Sequence, residues 1–347
     1  MKNIVLSIMT LQGNGAERVV LNLAEEFQRM GHKVTILCFK KHIELPVPKT
    51  ISLMFFEIKY WRWIPKQLRG IIVAPIIDFF IKRKIGEPDL ILSNLLPVDR
   101  ILCCSKLKNV FLVNHNTMTF EYRINEGKSL KQEIKNIYKK KPVVCVSKGV
   151  LKDFKKLIDP NIKPYQIYNP INHNYIKNSS EIPIKNLYKN YIIHVGKFNR
   201  AKRQDVLIKA YSKSNKNRNL VLVGQGYEQA KCIALVKSLK IEDKVFFAGF
   251  HPNPYPLIKN ADLMVLTSDF EGLSMVLLEA LALQVPVVSS DCDSGPKEFL
   301  NKENLYKKSD IDELINYLNM KDYSHLKSDL PEYFKPDVIA KRYLELI

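Results

Sequence analysis

The feature that most constrains this chain is an alternation that occurs in two series. Short apolar runs are separated by stretches whose apolar positions recur at helical spacing. The opening sets the pattern. Ile4–Met9 is an apolar run, and Leu11–Arg18 (LQGNGAER) is a glycine-bearing turn. Val20, Leu23, Ala24 and Phe27 then recur at i, i+3, i+4 and i+7, Gly31 ends the helix, and Lys33–Phe39 is the next run. Strand, glycine turn, helix, strand is a unit of a parallel sheet. Further strands are predicted at Leu90–Ser93, Val110–Asn114 and Val143–Ser147, which makes residues 1–168 one Rossmann-like domain. Residues 169–190 are polar, rich in Asn and Ser and without sustained period, and predict a linker.

The second series follows over 191–335. Its predicted strands are Tyr191–Val195, Leu220–Val223, Val245–Ala248, Leu263–Leu266 and Val285–Ser289. Its predicted helices are Gln204–Ser212, Glu228–Leu239, Ser274–Leu283 and Ile311–Leu318. Residues 336–347 are amphipathic and predict a terminal helix that packs back on the first domain. The expected architecture is α/β, two Rossmann-like domains facing each other across a cleft.

Charge is unevenly divided. Residues 1–168 hold 29 basic and 14 acidic side chains, a balance of +15, whereas 169–347 contribute only +4. A basic first half implies either an anionic partner, which would be nucleic acid, an anionic membrane surface or a phosphorylated substrate, or a Lys excess that comes from a genome of biased base composition. The apolar stretch Ile71–Ile81 is too short to span a bilayer and contains Asp78. Trp61, Arg62, Trp63, Lys66 and Arg69 precede it, and Lys82, Arg83 and Lys84 follow it. Aromatic and cationic residues around a modest apolar stretch describe a segment that lies on a membrane, or equally a buried helix with a basic rim. The six cysteines are scattered with no CxxC pair, which speaks against a zinc site or disulfide framework and suits a reducing cytoplasm. The start MKNIVLSIMT reads as a strand and not as a leader.

The most specific stretch is Ser268–Leu281, which follows a predicted strand and opens a helix. Glu271 lies in the turn and Glu279 lies roughly two turns into the helix. Gly272, Leu273, Ser274 and Met275 would place backbone N–H groups at a helix N-terminus, where an anion binds. Carboxylates beside an anion site suit hydroxyl groups, which sugars and riboses supply.

Glu271 and Glu279, eight apart, resemble the EX7E signature of the retaining GT-B fold glycosyltransferases of family 4. Four other segments resemble that family's turns in the same order: Gly13–Arg18, His194–Lys202, Gly224–Gly226 and Ser294–Glu298. The resemblance covers nearly the whole chain and implies the following roles. Lys197 and Lys202 clamp a nucleotide diphosphate; the family usually has Arg where Lys197 stands, with Arg200 three residues on. Glu279 binds the ribose, Glu271 contacts the donor sugar, and Gly15 offers an N–H to phosphate. His115, after a predicted strand, faces the sugar near its 6-hydroxyl. Glu271, His115 and Lys202 are thus the implied catalytic residues, with Gly15, Lys197, Gly272–Met275 and Glu279 binding donor.

The implied reaction moves a sugar from a nucleoside diphosphate, UDP before GDP, to a lipid-linked or surface-polysaccharide glycan, without cofactor or metal. Asp291-Cys292-Asp293 matches a DxD metal motif but follows a second-domain strand and is read as a loop. Gly13-Asn14-Gly15 lacks the third glycine of a dinucleotide fingerprint. A sugar-phosphate synthase with a soluble acceptor is the alternative enzyme. A basic nucleic-acid-binding protein is the alternative of another class, for which no recognition module is present. The expected location is the cytoplasm, peripheral on the inner face of the cytoplasmic membrane.

Overall fold

The computed structural model describes all residues except 62, 123–127, 160, 161, 185–187 and 309. The chain divides into two units, residues 1–171 with 333–347, and residues 172–332.

The first unit is built on a seven-stranded, wholly parallel sheet. Its strands are β1 (Asn3–Ile8), β2 (Lys33–Cys38), β3 (Ser52–Phe55), β4 (Leu90–Asn94), β5 (Val110–Asn114), β6 (Val143–Cys145) and β7 (Tyr165–Gln166), in the order β3-β2-β1-β4-β5-β6-β7. The direction of winding reverses between β1 and β4. Every residue of β4 and β5 is buried, as a sheet covered on both faces requires. The helices are α1 (Gly15–Arg29), α2 (Lys66–Lys84), α3 (Leu96–Leu102), α4 (Met118–Glu121), α5 (Lys128–Tyr138) and α6 (Lys148–Leu157). Val19, Val20, Leu23, Ala24 and Phe27 of α1 are buried, the face that the apolar period marks out. On one side of the sheet, Val73, Ala74, Ile77 and Ile81 of α2 pack into a cluster with Val5, Ile91 and Val98.

The second unit repeats the plan. It opens with α7 (His173–Ser180), and its sheet contains β8 (Tyr191–Val195), β9 (Asn219–Val223), β10 (Val245–Gly249), β11 (Leu263–Leu266), β12 (Val287–Ser290) and β13 (Leu305–Tyr306). All are parallel, in the order β10-β9-β8-β11-β12-β13, with the reversal between β8 and β11. The remaining helices are α8 (Gln204–Lys213), α9 (Gln229–Ser238), α10 (Tyr255–Lys259), α11 (Met275–Ala282) and α12 (Ile311–Asn319). Two parallel-sheet α/β domains are therefore present.

The stretch expected to be a linker differs. Residues 173–180 form α7, which packs on α10 and α11. The Asn172 side chain accepts the Tyr175 N–H at 3.1 Å and caps its start. A short Asn- and Ser-rich helix has little intrinsic stability, so tertiary packing holds it. The terminal helix α13 (Pro336–Leu344) belongs to the first unit and packs on α1. The Ile171 N–H donates to the Phe334 carbonyl at 2.8 Å, and Arg342 donates to the Gln166 carbonyl at 2.6 Å. Among the described residues, no helix is long and apolar enough to cross a membrane.

Candidate functional site

In an open parallel sheet, ligands meet the carboxyl ends of the strands where the winding reverses. In the second unit those ends belong to β8 and β11. The loop leaving β8 is latched to the loop leaving β11 at three points. The Thr267 hydroxyl donates to the carbonyls of Lys202 and Arg203, each at 2.9 Å. The Asp269 N–H donates to the Ala201 carbonyl at 2.7 Å, and the Arg203 guanidinium lies 3.2 Å from the Asp269 carboxylate. Arg203 itself has φ 49, a left-handed conformation that costs a non-glycine residue about 1–2 kcal/mol and that these anchors hold.

The latch sets Lys202 against Glu271. The ammonium Nζ is 2.6 Å from Glu271 Oε1, which also accepts from the Ser268 hydroxyl at 2.6 Å. Ser294 donates to the Glu271 carbonyl. Glu271 is buried and Lys202 is only 20% exposed, so the pair is shielded from most of the solvent screening that makes surface ion pairs weak. His194, which like Lys202 lies against Gly196, is buried, with Nε2 without a partner among the described residues. Burial first, and the Lys202 charge second, push this imidazole down to about 3, so it is neutral at pH 7.

The glycine turn after β9 shapes the same loop. A Cβ on Gly224, at φ 138, would stand 2.1 Å from the Gly196 carbonyl oxygen, and one on Gly226 would stand 2.2 Å from that of Phe198. These glycines therefore serve a close backbone approach to residues 196–198. The Phe198 N–H completes it by donating to the Gln225 carbonyl at 3.0 Å.

Glu279 is the fifth residue of α11, nearer its start than the sequence reading placed it. It is buried, and the Tyr255 hydroxyl is 3.5 Å from its Oε1. The helix begins at Met275, with Ser274 as N-cap residue. Gly272 and Leu273 lie in the preceding turn and do not open the helix. The Ser274 hydroxyl is buried with no partner among the described residues, and the Met275 side chain is buried. Lys197 is exposed at the start of the β8 loop, and its carbonyl accepts from Gln204 at 3.1 Å. Arg200 is turned to Glu228 at 3.6 Å. Asp291 lies 3.5 Å from the Lys297 ammonium in the loop after β12. Among the described residues, no group of three or more His, Cys, Asp or Glu side chains is placed to hold a metal ion.

In the first unit the reversal lies between β1 and β4. Gly15 is the exposed first residue of α1. The turn before it is organised by Glu17, whose buried carboxylate accepts from the Thr10 hydroxyl at 2.6 Å and from the Gln12 and Asn14 N–H groups at 2.8 Å each. This is the reciprocal half of a capping box. His115 follows β5, and its Nε2 lies 2.8 Å from Asn94 Oδ1. The Asn94 amide nitrogen donates to the carbonyls of Ser7 and Leu92, at 3.1 and 3.2 Å, which fixes its oxygen toward the histidine. An acceptor there assigns the proton to Nε2 and leaves Nδ1 a lone-pair acceptor. Nδ1 is buried with no partner among the described residues. Burial pushes this ring down to about 4, so the tautomer stays neutral. Leu95, next to Asn94, has φ 75, a conformation that a branched side chain rarely takes.

The residues read as membrane-facing lie on and before α2. Trp63 is exposed, with its indole N–H on the Tyr60 carbonyl at 3.0 Å. Lys82, Arg83 and Lys84 are exposed at the helix end, Lys82 paired with Glu87 at 2.7 Å. Arg69 does not point outward freely: it is half-buried and donates to the Ile64 carbonyl at 2.9 Å. Arg62 lies outside the described residues, as do the side chains of Trp61 and Lys66.

Asn94, Ser268, Ser294 and Tyr255 emerge only in the structure as partners of His115, Glu271 and Glu279. Ser268 and Ser294 stand inside the motif stretches, so their hydroxyls were a usable signal. Nothing in the sequence marks Asn94 or Tyr255.

Two family models match the chain, Glycosyltransferase Family 4 over residues 13–175 and Glycosyl transferases group 1 over residues 176–321. The chain is 34% identical over 160 residues to the N-acetylgalactosamine-N,N'-diacetylbacillosaminyl-diphospho-undecaprenol 4-alpha-N-acetylgalactosaminyltransferase of Campylobacter jejuni, covering 45% of this chain and 43% of that one. It is 34% identical over 163 residues to the lipopolysaccharide 1,6-galactosyltransferase of Salmonella typhimurium, covering 44% of each. These matches span less than half the length of either relative. The crystal structure of Anabaena HepE in complex with UDP and glucose superposes with a TM-score of 0.75 at 17% identity, over 100% of this chain and 97% of that one.

Proposed function

The chain belongs to the family 4 glycosyltransferases, and from that premise we propose that it moves a sugar, with retention of configuration, from a nucleoside diphosphate to a lipid-linked or surface-polysaccharide glycan. The observation that carries this reading is the shielded Lys202–Glu271 pair at the strand ends of the second unit, with Glu279 on the helix that follows. UDP as the donor nucleotide is supported by the UDP in the HepE complex. The glycan acceptor is supported by the names of the Campylobacter and Salmonella relatives.

The chemistry follows from the charges. When a diphosphate arrives, Lys202 exchanges a carboxylate partner for a phosphate one and neutralises the leaving group as the glycosidic bond breaks. Lys197, at the start of the same loop, adds a second point charge. Glu271, released from the ammonium, turns its carboxylate to the donor sugar, with Ser268 still donating to it. Glu279 accepts from the ribose hydroxyls. The first unit, taken by itself, offers chemistry of the same kind: Gly15 is an exposed first helical residue whose N–H suits a phosphate, and the His115 Nδ1 suits a sugar hydroxyl. The departing phosphate takes the acceptor's proton on the same face, which preserves configuration. These cations do the work that a divalent ion does elsewhere, and the reaction proceeds without one. The chain works in the cytoplasm, peripherally, on the inner face of the membrane that carries its acceptor.

The test is product release across UDP- and GDP-sugars with a lipid-linked glycan, in buffer with EDTA, with the product's anomeric configuration read by NMR. Transfer from a UDP-sugar with retention is expected. An inverted product, or activity that returns only with added manganese or magnesium, contradicts the reading.

A further inference from the structure

A helix that is apolar all round belongs in a protein core or in lipid. Over its central turns α2 is such a helix, and only half of it is in the core. Val73, Ala74, Ile77 and Ile81 are fully buried against the sheet. The opposite face carries Leu68, Ile71, Ile72, Ile76 and Phe79, which are 37–66% exposed. Spacings of three and four residues make them one continuous stripe over three turns. Trp63 and Tyr60 extend it beyond the helix start, 76% and 65% exposed. The helix is fixed in this orientation: a Cβ on Gly70 would stand 2.4 Å from the Arg100 carbonyl oxygen, so its backbone sits directly on α3.

The charges around the stripe say what covers it. Asp78 is the one acidic residue of α2, and it is turned inward, accepting from the Ser105 hydroxyl at 2.6 Å and the Lys106 N–H at 2.7 Å. The outer face thus presents no anion of its own helix. Arg83 and Lys84 are exposed where the stripe ends. A second copy of a chain carrying +19 is repelled, whereas an anionic surface is attracted.

We propose that the outer face of α2 is the surface on which this chain rests on an anionic lipid bilayer, with Ile71, Ile72, Ile76 and Phe79 in the headgroup–acyl boundary. Trp63 and Tyr60 lie at headgroup depth, and Arg83 and Lys84 meet the lipid phosphates. The inference rests on the reading above for its membrane-borne acceptor, and it names the part of the chain that meets that membrane.

The experiment uses the full chain and vesicles of phosphatidylcholine, with or without an equal share of phosphatidylglycerol. The chain's only two tryptophans are Trp61 and Trp63, so tryptophan emission, excited beyond the tyrosine band, reports this segment alone. Wild type is expected to float with the anionic vesicles at low salt, with blue-shifted emission, and to release as salt rises. The double variant Ile71→Gln/Phe79→Gln should partition at least tenfold more weakly. Arg83→Gln and Lys84→Gln should each weaken partition about fivefold, as one cation near such a surface contributes. Flotation of the double variant equal to wild type overturns the proposal, as does wild type that stays out of anionic vesicles at low salt. So does a dimer in sedimentation equilibrium that the double variant dissociates. UDP binding by the same preparations separates the two readings: a chain that floats but does not bind UDP sinks the transferase reading and leaves the docking surface standing.

Discussion

Glu17 and Glu271 are both buried carboxylates at the strand ends where a parallel sheet reverses its winding, and they are satisfied in opposite ways. Glu17 is held by one hydroxyl and two backbone N–H groups of its own turn. Glu271 is held by an ammonium delivered from a different strand's loop, 69 residues away in sequence, and by one hydroxyl. A carboxylate closed off by its own turn is a structural lock. One that leans on a cation from a neighbouring loop is poised, because a stronger anion can take the cation. The two units share a topology, and the partner chemistry differs at their reversal points: backbone N–H groups in the first, a cation in the second.

The largest difference between the two carboxylates is expected at Lys202. Lys202→Ala should lower kcat per folded molecule by about 10²–10³, the usual cost of removing one preorganised group that stabilises transition-state charge, and should lower the urea midpoint as well, because the buried Glu271 carboxylate is left without its cation. Steady-state kinetics beside a urea titration check both halves, and an unchanged kcat would make the pair merely structural. Glu17→Ala should act on stability and not on kcat. It leaves two N–H groups of the turn without their acceptor and should cost about 2–3 kcal/mol of stability, read from the urea midpoint. Activity per folded molecule should survive better than in Lys202→Ala. A Glu17 variant of wild-type stability would deny the lock.

Glu279→Gln should raise the apparent donor constant by about tenfold while kcat holds, since a ribose contact is made equally in ground and transition states. A fall in kcat alone would move Glu279 into the chemistry.

The two buried imidazoles sharpen the contrast by pH. Their folded values, about 4 for His115 and about 3 for His194, lie below the unfolded value near 6.5. Between those limits the unfolded chain binds more protons, so stability falls as pH drops below about 6.5 and is unaffected above it. Two of the seven histidines should show no NMR titration between pH 8 and 5. The smallest effect is expected at Asn94. Asn94→Leu removes the acceptor that assigns the His115 proton to Nε2, and ¹⁵N shifts should change from one tautomer to a mixture.

Much of this was legible in the sequence. The alternation of runs located both sheets, and the EX7E spacing singled out Glu271 and Glu279, both of which are buried, one in the turn after β11 and one in α11. The edge strands Ser52–Phe55, Tyr165–Gln166 and Leu305–Tyr306 were not legible, because two to four residues carry no period. Helix α7 hides in Asn- and Ser-rich sequence that only packing makes helical. The two faces of α2 could not be told apart either, since both are apolar and only the sheet decides which is covered. The Lys202–Glu271 pair depends on the Thr267 and Asp269 latch, a contact between loops that spacing along the chain does not encode.

If the second unit binds a nucleoside diphosphate through Lys202, calorimetric titration of UDP into wild type and Lys202→Met will separate the two proteins. Wild type should bind UDP saturably and the variant at least tenfold more weakly, the loss of one hydrogen bond to a charged group. Equal affinity in the two proteins would contradict it.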